Sequence, residues 1–352
     1  METSLFDYPL PPDRIAQKSM EPREAAKLLV LDRKTGAIED KIVADLPTLL
    51  RKGDLLIFND SKVFKARLKA VIYGKNTREA GKEVEIFLLR PHEGMWIALA
   101  RPGKKLHSGC RVMFEDGSKA RVMGKREDGT VDIDFGIHPD RVFELADQYG
   151  EVPVPPYVEP TKENTSAYQT AYAKHVGSVA APTAGFHFTN ALLDELKNNG
   201  IETAFVTLHV GIGTFRPIKS ETLGEHVMHE EWAHVPKETI SMVQKAKQEG
   251  RRVIVVGTTA MRALESWAKT LEDPSALLGT RNEWSGFTDL FITPGYEFKV
   301  ADGLITNFHL PKSTLIVLVS SFAGRENVMN AYKHAIENSY RFYSFGDAML
   351  IA

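Results

Sequence analysis

The apolar positions along the chain change period twice. In the first sixty residues or so, Leu28–Leu31 and Ile42–Ala44 predict two strands joined by a turn at Lys34-Thr35-Gly36. Pro47 opens a short helix that runs to Leu50, and Asp54–Phe58 predicts an apolar strand ending in Asn59-Asp60-Ser61. From about Leu68 to Gly150 the pattern becomes two-residue alternation. Leu68–Tyr73, Val84–Leu89, Trp96–Ala100, Arg111–Phe114, Ala120–Met123 and Val131–Asp134 each read as a short strand, with breaks at Gly74, Glu93-Gly94, Pro102-Gly103, Asp116-Gly117 and Asp128-Gly129. Asp-Gly pairs between short strands signal tight hairpins. Six strands in about 80 residues, with no helix-length apolar period, predict a small antiparallel β-barrel.

After Val152-Pro153-Val154-Pro155-Pro156-Tyr157, a stretch that suits a stiff linker, the period lengthens. Ser166–His175 and Thr189–Asn199 predict helices, the second with Thr189 as N-cap, Leu192, Leu193 and Leu196 on one face and Gly200 past its end. It feeds the strand Ile201–Val210, which stops at Gly211-Ile212-Gly213-Thr214. A helix from Pro236, with Ile240, Val243 and Ala246 inward, ends at Gly250 and feeds the strand Arg252–Val256, which stops at Gly257-Thr258-Thr259. Another helix covers Thr259–Lys269; an apolar segment at Leu315–Phe322, a helix at Glu326–Asn338 and an aromatic tail at Tyr340–Asp347 follow. This alternation predicts an α/β fold: a large α/β domain over residues 1–67 and 151–352, its mostly parallel sheet layered or barrel-like with helices outside, and an inserted β-barrel domain over 68–150. In such sheets the loops beyond the carboxyl ends of the strands form the ligand crevice. Gly211–Phe215 and Gly257–Arg262 are therefore expected to be neighbours in a site.

Composition adds a compartment and a partner. A length of 352 residues exceeds the usual limit of one core. The lone Cys110 excludes an intramolecular disulfide framework and a Cys-based zinc site, and suits a reducing environment. No stretch approaches the roughly 18 apolar residues of a membrane span, and Met1-Glu2-Thr3-Ser4 lacks the features of a signal peptide. The expectation is a soluble, cytoplasmic monomer. The net charge of −2 argues against a nucleic-acid partner only as an average. Arg51–Arg126 holds 18 Lys+Arg against 8 Asp+Glu, a local +10 that leaves −12 on the rest of the chain. A solvated basic face would account for this, but its overlap with the β-rich segment favours a polyanion-binding barrel.

Several motifs bear on chemistry. His209-Val210-Gly211-Ile212-Gly213-Thr214-Phe215 puts two glycines after a strand, where backbone N–H groups can approach a ligand, yet Phe215-Arg216-Pro217 stands where a dinucleotide fingerprint needs a third glycine. In Gly257-Thr258-Thr259-Ala260-Met261-Arg262, a threonine can cap a helix whose free N–H groups favour a carboxylate or phosphate. Arg262 suits an anion or an ion pair with Glu265. His226, His229 and His234 invite a metal, but His-x-x-His lacks the two-ligands-and-a-base spacing of a zinc helix, so no metal is expected. Pro182–Phe188, Thr306–Pro311 and Tyr343–Asp347 each join a turn residue to a polar group and an aromatic ring, as a flat base and a sulfonium cation require.

The segments Phe6–Pro11, Gly53–Asp60, Ala180–Thr189, His209–Phe215, Gly257-Thr258-Thr259, Thr306–Pro311 and Tyr340–Leu350 together resemble the S-adenosylmethionine:tRNA ribosyltransferase-isomerase family of queuosine biosynthesis, from residue 6 to the C-terminus. The resemblance implies transfer of the ribosyl part of S-adenosylmethionine to 7-aminomethyl-7-deazaguanine at the tRNA wobble position, giving epoxyqueuosine, adenine and methionine. S-adenosylmethionine is then a consumed co-substrate, with no resident cofactor, and no membrane is involved. Such a reaction needs a base, an acid for adenine and a cradle for the methionine carboxylate. His187, His209 and His309 are the candidate proton-transfer groups; Asp60 and Asp347 would hold the aminomethyl cation or orient an imidazole. Thr258, Thr259 and Arg262 would take the carboxylate, and Phe186, Phe215, Phe308 and Tyr343 would stack on adenine or the modified base. Asn59, Gly185, Phe188, Gly211, Gly213, Thr214, Asn307 and Arg341 complete the expected substrate site. Lys62, Lys65, Arg67, Lys69, Lys104 and Lys105 would meet the phosphates of the anticodon stem-loop. A metal-dependent hydrolase and a non-catalytic RNA-binding module are the competing readings.

Overall fold

A computed structural model describes the chain except for residues 75–80, 212, 214–216 and 272–281. Met1–Lys62, Pro155–His175 and Ala181–Ala352 form one unit, and Val63–Val154 with Val176–Ala180 form a second.

The larger unit is built on a nine-stranded sheet ordered Trp284–Thr288, Glu231–Val235, Glu202–Leu208, Leu55–Asn59, Val253–Val256, Gly303–Asn307, Ala348–Ile351, Lys27–Leu31, Ile38–Ile42. Its middle four strands, Glu202–Leu208 to Gly303–Asn307, are parallel. Antiparallel pairings extend the sheet on both sides, apart from the parallel pair of Ala348–Ile351 and Lys27–Leu31. Leu55–Asn59, Val253–Val256 and Gly303–Asn307 are buried at every position, the signature of parallel strands covered on both faces. Leu56, Phe58, Ile254 and Val256 share a core cluster with Leu192 and Leu196 of the helix Asn190–Asn198. The hydroxyl of Thr189 caps that helix, accepting from Leu192 N at 3.2 Å.

Two boundaries differ from expectation for local reasons. The second strand is Ile38–Ile42 rather than Ile42–Ala44. It is an edge strand with exposed Glu39 and Asp40, so it carries no apolar alternation to read. The helix expected at Ser166–His175 lies at Lys162–Ala167, where the Thr161 hydroxyl accepts from Asn164 N at 3.1 Å; Tyr168, with ψ of 51°, ends it.

In the smaller unit six antiparallel strands close a barrel in the order Val131–Asp134, Met95–Arg101, Glu83–His92, Arg67–Tyr73, Arg111–Phe114, Lys119–Lys125, with the last pairing back to the first. The helix Pro139–Tyr149 was not expected there. It buries only Val142, Leu145 and Ala146, one short i, i+3, i+4 recurrence amid polar residues. The charge reading also changes. Val63–Val154, the charged part of this unit, holds 16 Lys+Arg and 14 Asp+Glu, a net +2, because Glu127–Glu151 is acidic. The +10 belongs to the stretch 51–126 and not to the barrel as a whole. Among the described residues no helix is long and apolar enough to cross a membrane.

Candidate functional site

Because the middle strands are parallel and adjacent, the residues that follow them come together at one edge of the sheet. Asn59, buried at the end of its strand, ties three of these ends. Its Nδ2 donates to Leu208 O at 3.0 Å and to Thr259 Oγ1 at 3.1 Å, and its Oδ1 accepts from Leu208 N at 3.0 Å and Ser61 N at 3.1 Å. With all its polar atoms committed, Asn59 positions the edge rather than meeting a ligand. Gly257 begins the helix Thr258–Lys269 with φ of +90°, a conformation that favours glycine. Neither threonine caps that helix as expected; no side chain does.

Above this edge lies a cleft open to solvent. Pro182, Thr183, Thr258, Thr259, Thr306, Asn307 and His309 supply much of its wall, and Tyr157, Tyr343 and Ser344 one side. The rings of Tyr157 and Tyr343 are 4.8 Å apart and inclined by 50°, and Tyr157 Oη lies 2.8 Å from Ser344 Oγ. Burial pushes the Tyr157 phenol up to about 12. Tyr343 holds a φ of +72°, in the left-handed region that non-glycine residues rarely adopt. A second, larger cavity, lined in part by Lys219, Glu225, His226, His229 and Arg262, shares Thr258, Thr259 and Leu315 with the first.

The histidines fall into different surroundings. His309 lines the cleft, with its Nε2 2.8 Å from Thr306 Oγ1, and burial lowers its pKa to about 3. His187 sits on the short helical turn Thr183–His187, its Nε2 3.4 Å from Asn307 Nδ2. Burial lowers it to about 4, against the opposing charge of Asp347. His209 is likewise lowered to about 4 by burial and by His175; its ring stacks on Trp232, 5.1 Å between centroids. All three are neutral near pH 7. Asp60, buried at the sheet edge, accepts from Thr207 Oγ1 at 2.7 Å and faces His175 Nε2 at 3.5 Å. Burial raises its pKa, and Thr207, His175 and Lys174 act in the opposite direction.

Other expected site residues are occupied elsewhere. Arg262 forms an ion pair with Glu231 in which both side chains are buried, and its Nε donates to Leu290 O at 3.0 Å. Its guanidinium is therefore committed, and not to Glu265, whose carboxylate accepts from the backbone of Lys299, Val300 and Ala301. Gly211 N donates to Glu231 at 2.7 Å, so it is not a free ligand donor. Asp347 accepts from Arg341 N at 2.7 Å, Lys27 N at 3.1 Å and the Arg341 guanidinium at 3.1 Å, which fixes the tail. Phe308 packs its ring among Tyr332, Tyr340 and Phe342, Phe188 against Phe58, and Phe186 between Tyr168 and Phe345. These three are core rings, not faces offered to a base. At Gly185 a Cβ would stand 1.8 Å from Tyr172 Oη, and at Gly213 2.8 Å from His229 Cδ2, so both glycines serve close packing. Thr214 and Phe215 lie outside the described residues.

Tyr157 and His175 are the residues that sequence reasoning missed. Tyr157 lies in the Pro-rich stretch read as a linker, and His175 at the end of a helix that does not form there. The tyrosine following consecutive prolines was the one available signal. Of the expected phosphate contacts, Lys62 and Lys104 are exposed and Lys105 half-buried. Lys65 pairs with Asp147 at 3.3 Å, Arg67 with Glu85 at 3.1 Å and Lys69 with Glu151 at 2.7 Å. Among the described residues no three His, Cys, Asp or Glu side chains converge as a metal site. His226 instead meets the Phe291 ring at 5.3 Å, and His234 pairs with Glu283 at 3.4 Å.

Comparison with known proteins agrees with this architecture. A solved S-adenosylmethionine tRNA ribosyltransferase from Thermotoga maritima is 40% identical, matches over 99% of this chain and 100% of that one, and superposes with a TM-score of 0.57. A family model described as queuosine biosynthesis protein matches residues 3–351. With a match over nearly its whole length, the chain belongs to the queuosine biosynthesis protein family.

Proposed function

We propose that this chain is an S-adenosylmethionine:tRNA ribosyltransferase-isomerase, a transferase acting on 7-aminomethyl-7-deazaguanine at the wobble position of tRNA. The observation that carries the reading is the cleft at the parallel strand ends, where an uncapped helix N-terminus at Thr258 shares a wall with Asn307, His309 and the Tyr157–Tyr343 pair. The positive end of that helix and the Thr258 hydroxyl suit the methionine carboxylate, a role Arg262 does not share. The two tyrosine rings suit adenine and the neighbouring sulfonium, one by stacking and the other through its electron-rich face.

The sulfonium acidifies the adjacent ribose carbon. A base removes that proton, adenine departs, the aminomethyl nitrogen attacks the sugar, and closure of the epoxide expels methionine. Asp60, a buried carboxylate whose pKa burial raises, is the proton acceptor or holds the aminomethyl cation. His309, kept neutral by burial, orients substrate through the cleft wall, and His187 holds Asn307. The chain acts as a monomer, and S-adenosylmethionine is consumed rather than retained. Its single cysteine, buried Cys110, suits the cytoplasm. Incubating the protein with S-adenosylmethionine and tRNA carrying the aminomethyl base tests the reading: adenine and epoxyqueuosine nucleoside should appear together. Adenine release without a nucleoside product, or neither, overturns it.

A further inference from the structure

We infer that the sheet face formed by His209, Trp232 and Phe287 is a stacking platform for unpaired RNA bases beside the reacting nucleotide. The inference rests on the tRNA reading above and deepens it. Along Glu231–Val235 burial alternates: Glu231, Ala233 and Val235 are buried, while Trp232 and His234 are partly exposed on the other face. Trp232 stands directly across from Phe287 of the edge strand Trp284–Thr288. On its other side His209 N donates to Trp232 O at 2.9 Å, which brings the two rings into register. His209 stacks on Trp232 with 22° between the planes, and Trp232 meets His234 at 6.0 Å and 33°.

A single exposed phenylalanine carries little information. Phe287, however, is 51% exposed at the end of a row of rings that begins next to the candidate site. His209 is followed by Val210 in the cleft wall and neighbours His175, the partner of Asp60. Its Nδ1 is buried and has no hydrogen-bond partner among the described residues, leaving a polar atom at the inner end of the row. An unpaired base fits such a strip, because every base has a π-face and stacks on aromatic side chains of a sheet without sequence preference. A second copy of the chain does not fit it. Phe287 is the one large hydrophobic of this row that is exposed, far short of the roughly 1,200 Å² that a stable protein interface buries.

The test uses the full chain and an unmodified RNA hairpin whose loop carries 2-aminopurine, with no S-adenosylmethionine present. Wild-type protein should quench or shift the 2-aminopurine fluorescence. Phe287→Ala and Trp232→Leu should each raise the hairpin Kd about tenfold, within the range for losing one base–aromatic stack, while Trp232→Phe recovers most of the affinity. Stacking adds no phosphate contact, so the slope of log Kd against log salt should stay at the wild-type value. A folded Phe287→Ala protein that binds the hairpin within twofold of wild type overturns the inference, even if Trp232→Leu fails to fold. So does a wild-type dimer in sedimentation that Phe287→Ala dissociates. Neither result touches the ribosyl-transfer assay, and failure of that assay leaves the hairpin measurement standing.

Discussion

Asp60 and His175 form a carboxylate–imidazole pair at the sheet edge, 3.5 Å apart, in which the carboxylate is buried and also accepts from Thr207. Burial raises the Asp60 pKa in the folded protein. The folded state therefore holds this proton to higher pH than the unfolded state does, so the group's contribution to stability falls as pH rises through the ordinary carboxylate value to the folded one. At pH 7 the ionised carboxylate is a net cost. Asp60→Asn should leave Tm at pH 7 unchanged or raised while slowing adenine release by about 100-fold or more, the low end of a general acid–base contribution. A variant with near-wild-type release removes Asp60 from the chemistry.

The central parallel strands were legible because their burial on both faces leaves unbroken apolar runs such as Val253–Val256, bounded by Gly250 and Gly257. The barrel was legible because its strands alternate and Asp-Gly pairs mark its hairpins. What misled was commitment. Arg262, Asp347 and Gly211 have the residue types of a ligand site, but each is engaged by a partner distant in sequence: Glu231, Lys27 and again Glu231. Local spacing carries no trace of such pairings. The same holds for Phe186, Phe188 and Phe308, whose partners come from other elements. The motifs lie together at one edge of the sheet, and only the three-dimensional partners show which of their side chains hold that edge in place.

His187, His209 and His309 are lowered to about 4, about 4 and about 3 by burial. Below the ordinary imidazole value near 6.5 the unfolded chain takes up protons that these folded groups refuse, so stability present at pH 7 is lost as pH falls from about 6.5 toward 4. Each imidazole contributes up to about 1.4 kcal/mol per pH unit within that window. Unfolding free energies by denaturant should therefore drop steeply between pH 6.5 and 5, and His309→Gln should flatten the slope by about one proton. An unchanged slope in that variant shows that His309 is not held neutral.

The Arg262–Glu231 pair joins the helix Thr258–Lys269 to the strand Glu231–Val235, and Glu231 also holds Gly211 N. Arg262→Met leaves a buried carboxylate without its counter-charge and should destabilise by about 3–5 kcal/mol. Adding Glu231→Gln to it removes the orphaned charge, so the double variant should be more stable than Arg262→Met alone. If the two single changes simply add, the pair is not the buried unit described.

Lys104 and Lys105 differ from Lys65, Arg67 and Lys69 in one respect that bears on RNA binding. Among the described residues neither makes an ion pair, whereas Lys65, Arg67 and Lys69 are each opposed by a carboxylate within 3.3 Å. A cation already neutralised by a protein carboxylate has to break that pair before it can release a counter-ion from RNA, so it adds little to the salt dependence of binding. With the unit as a whole at only +2, any phosphate binding by it would depend on which cations are free and not on their total. Lys104→Ala with Lys105→Ala should weaken tRNA binding and reduce the slope of log Kd against log salt by about 0.7 to 0.9 for each phosphate that these lysines neutralise in the wild type. Lys69→Met, in contrast, should leave the slope close to wild type, because Glu151 already screens that charge. Equal slopes for the two variants and the wild type place the docking surface away from this turn. A large drop in slope for Lys69→Met means that the carboxylate pairing yields to RNA.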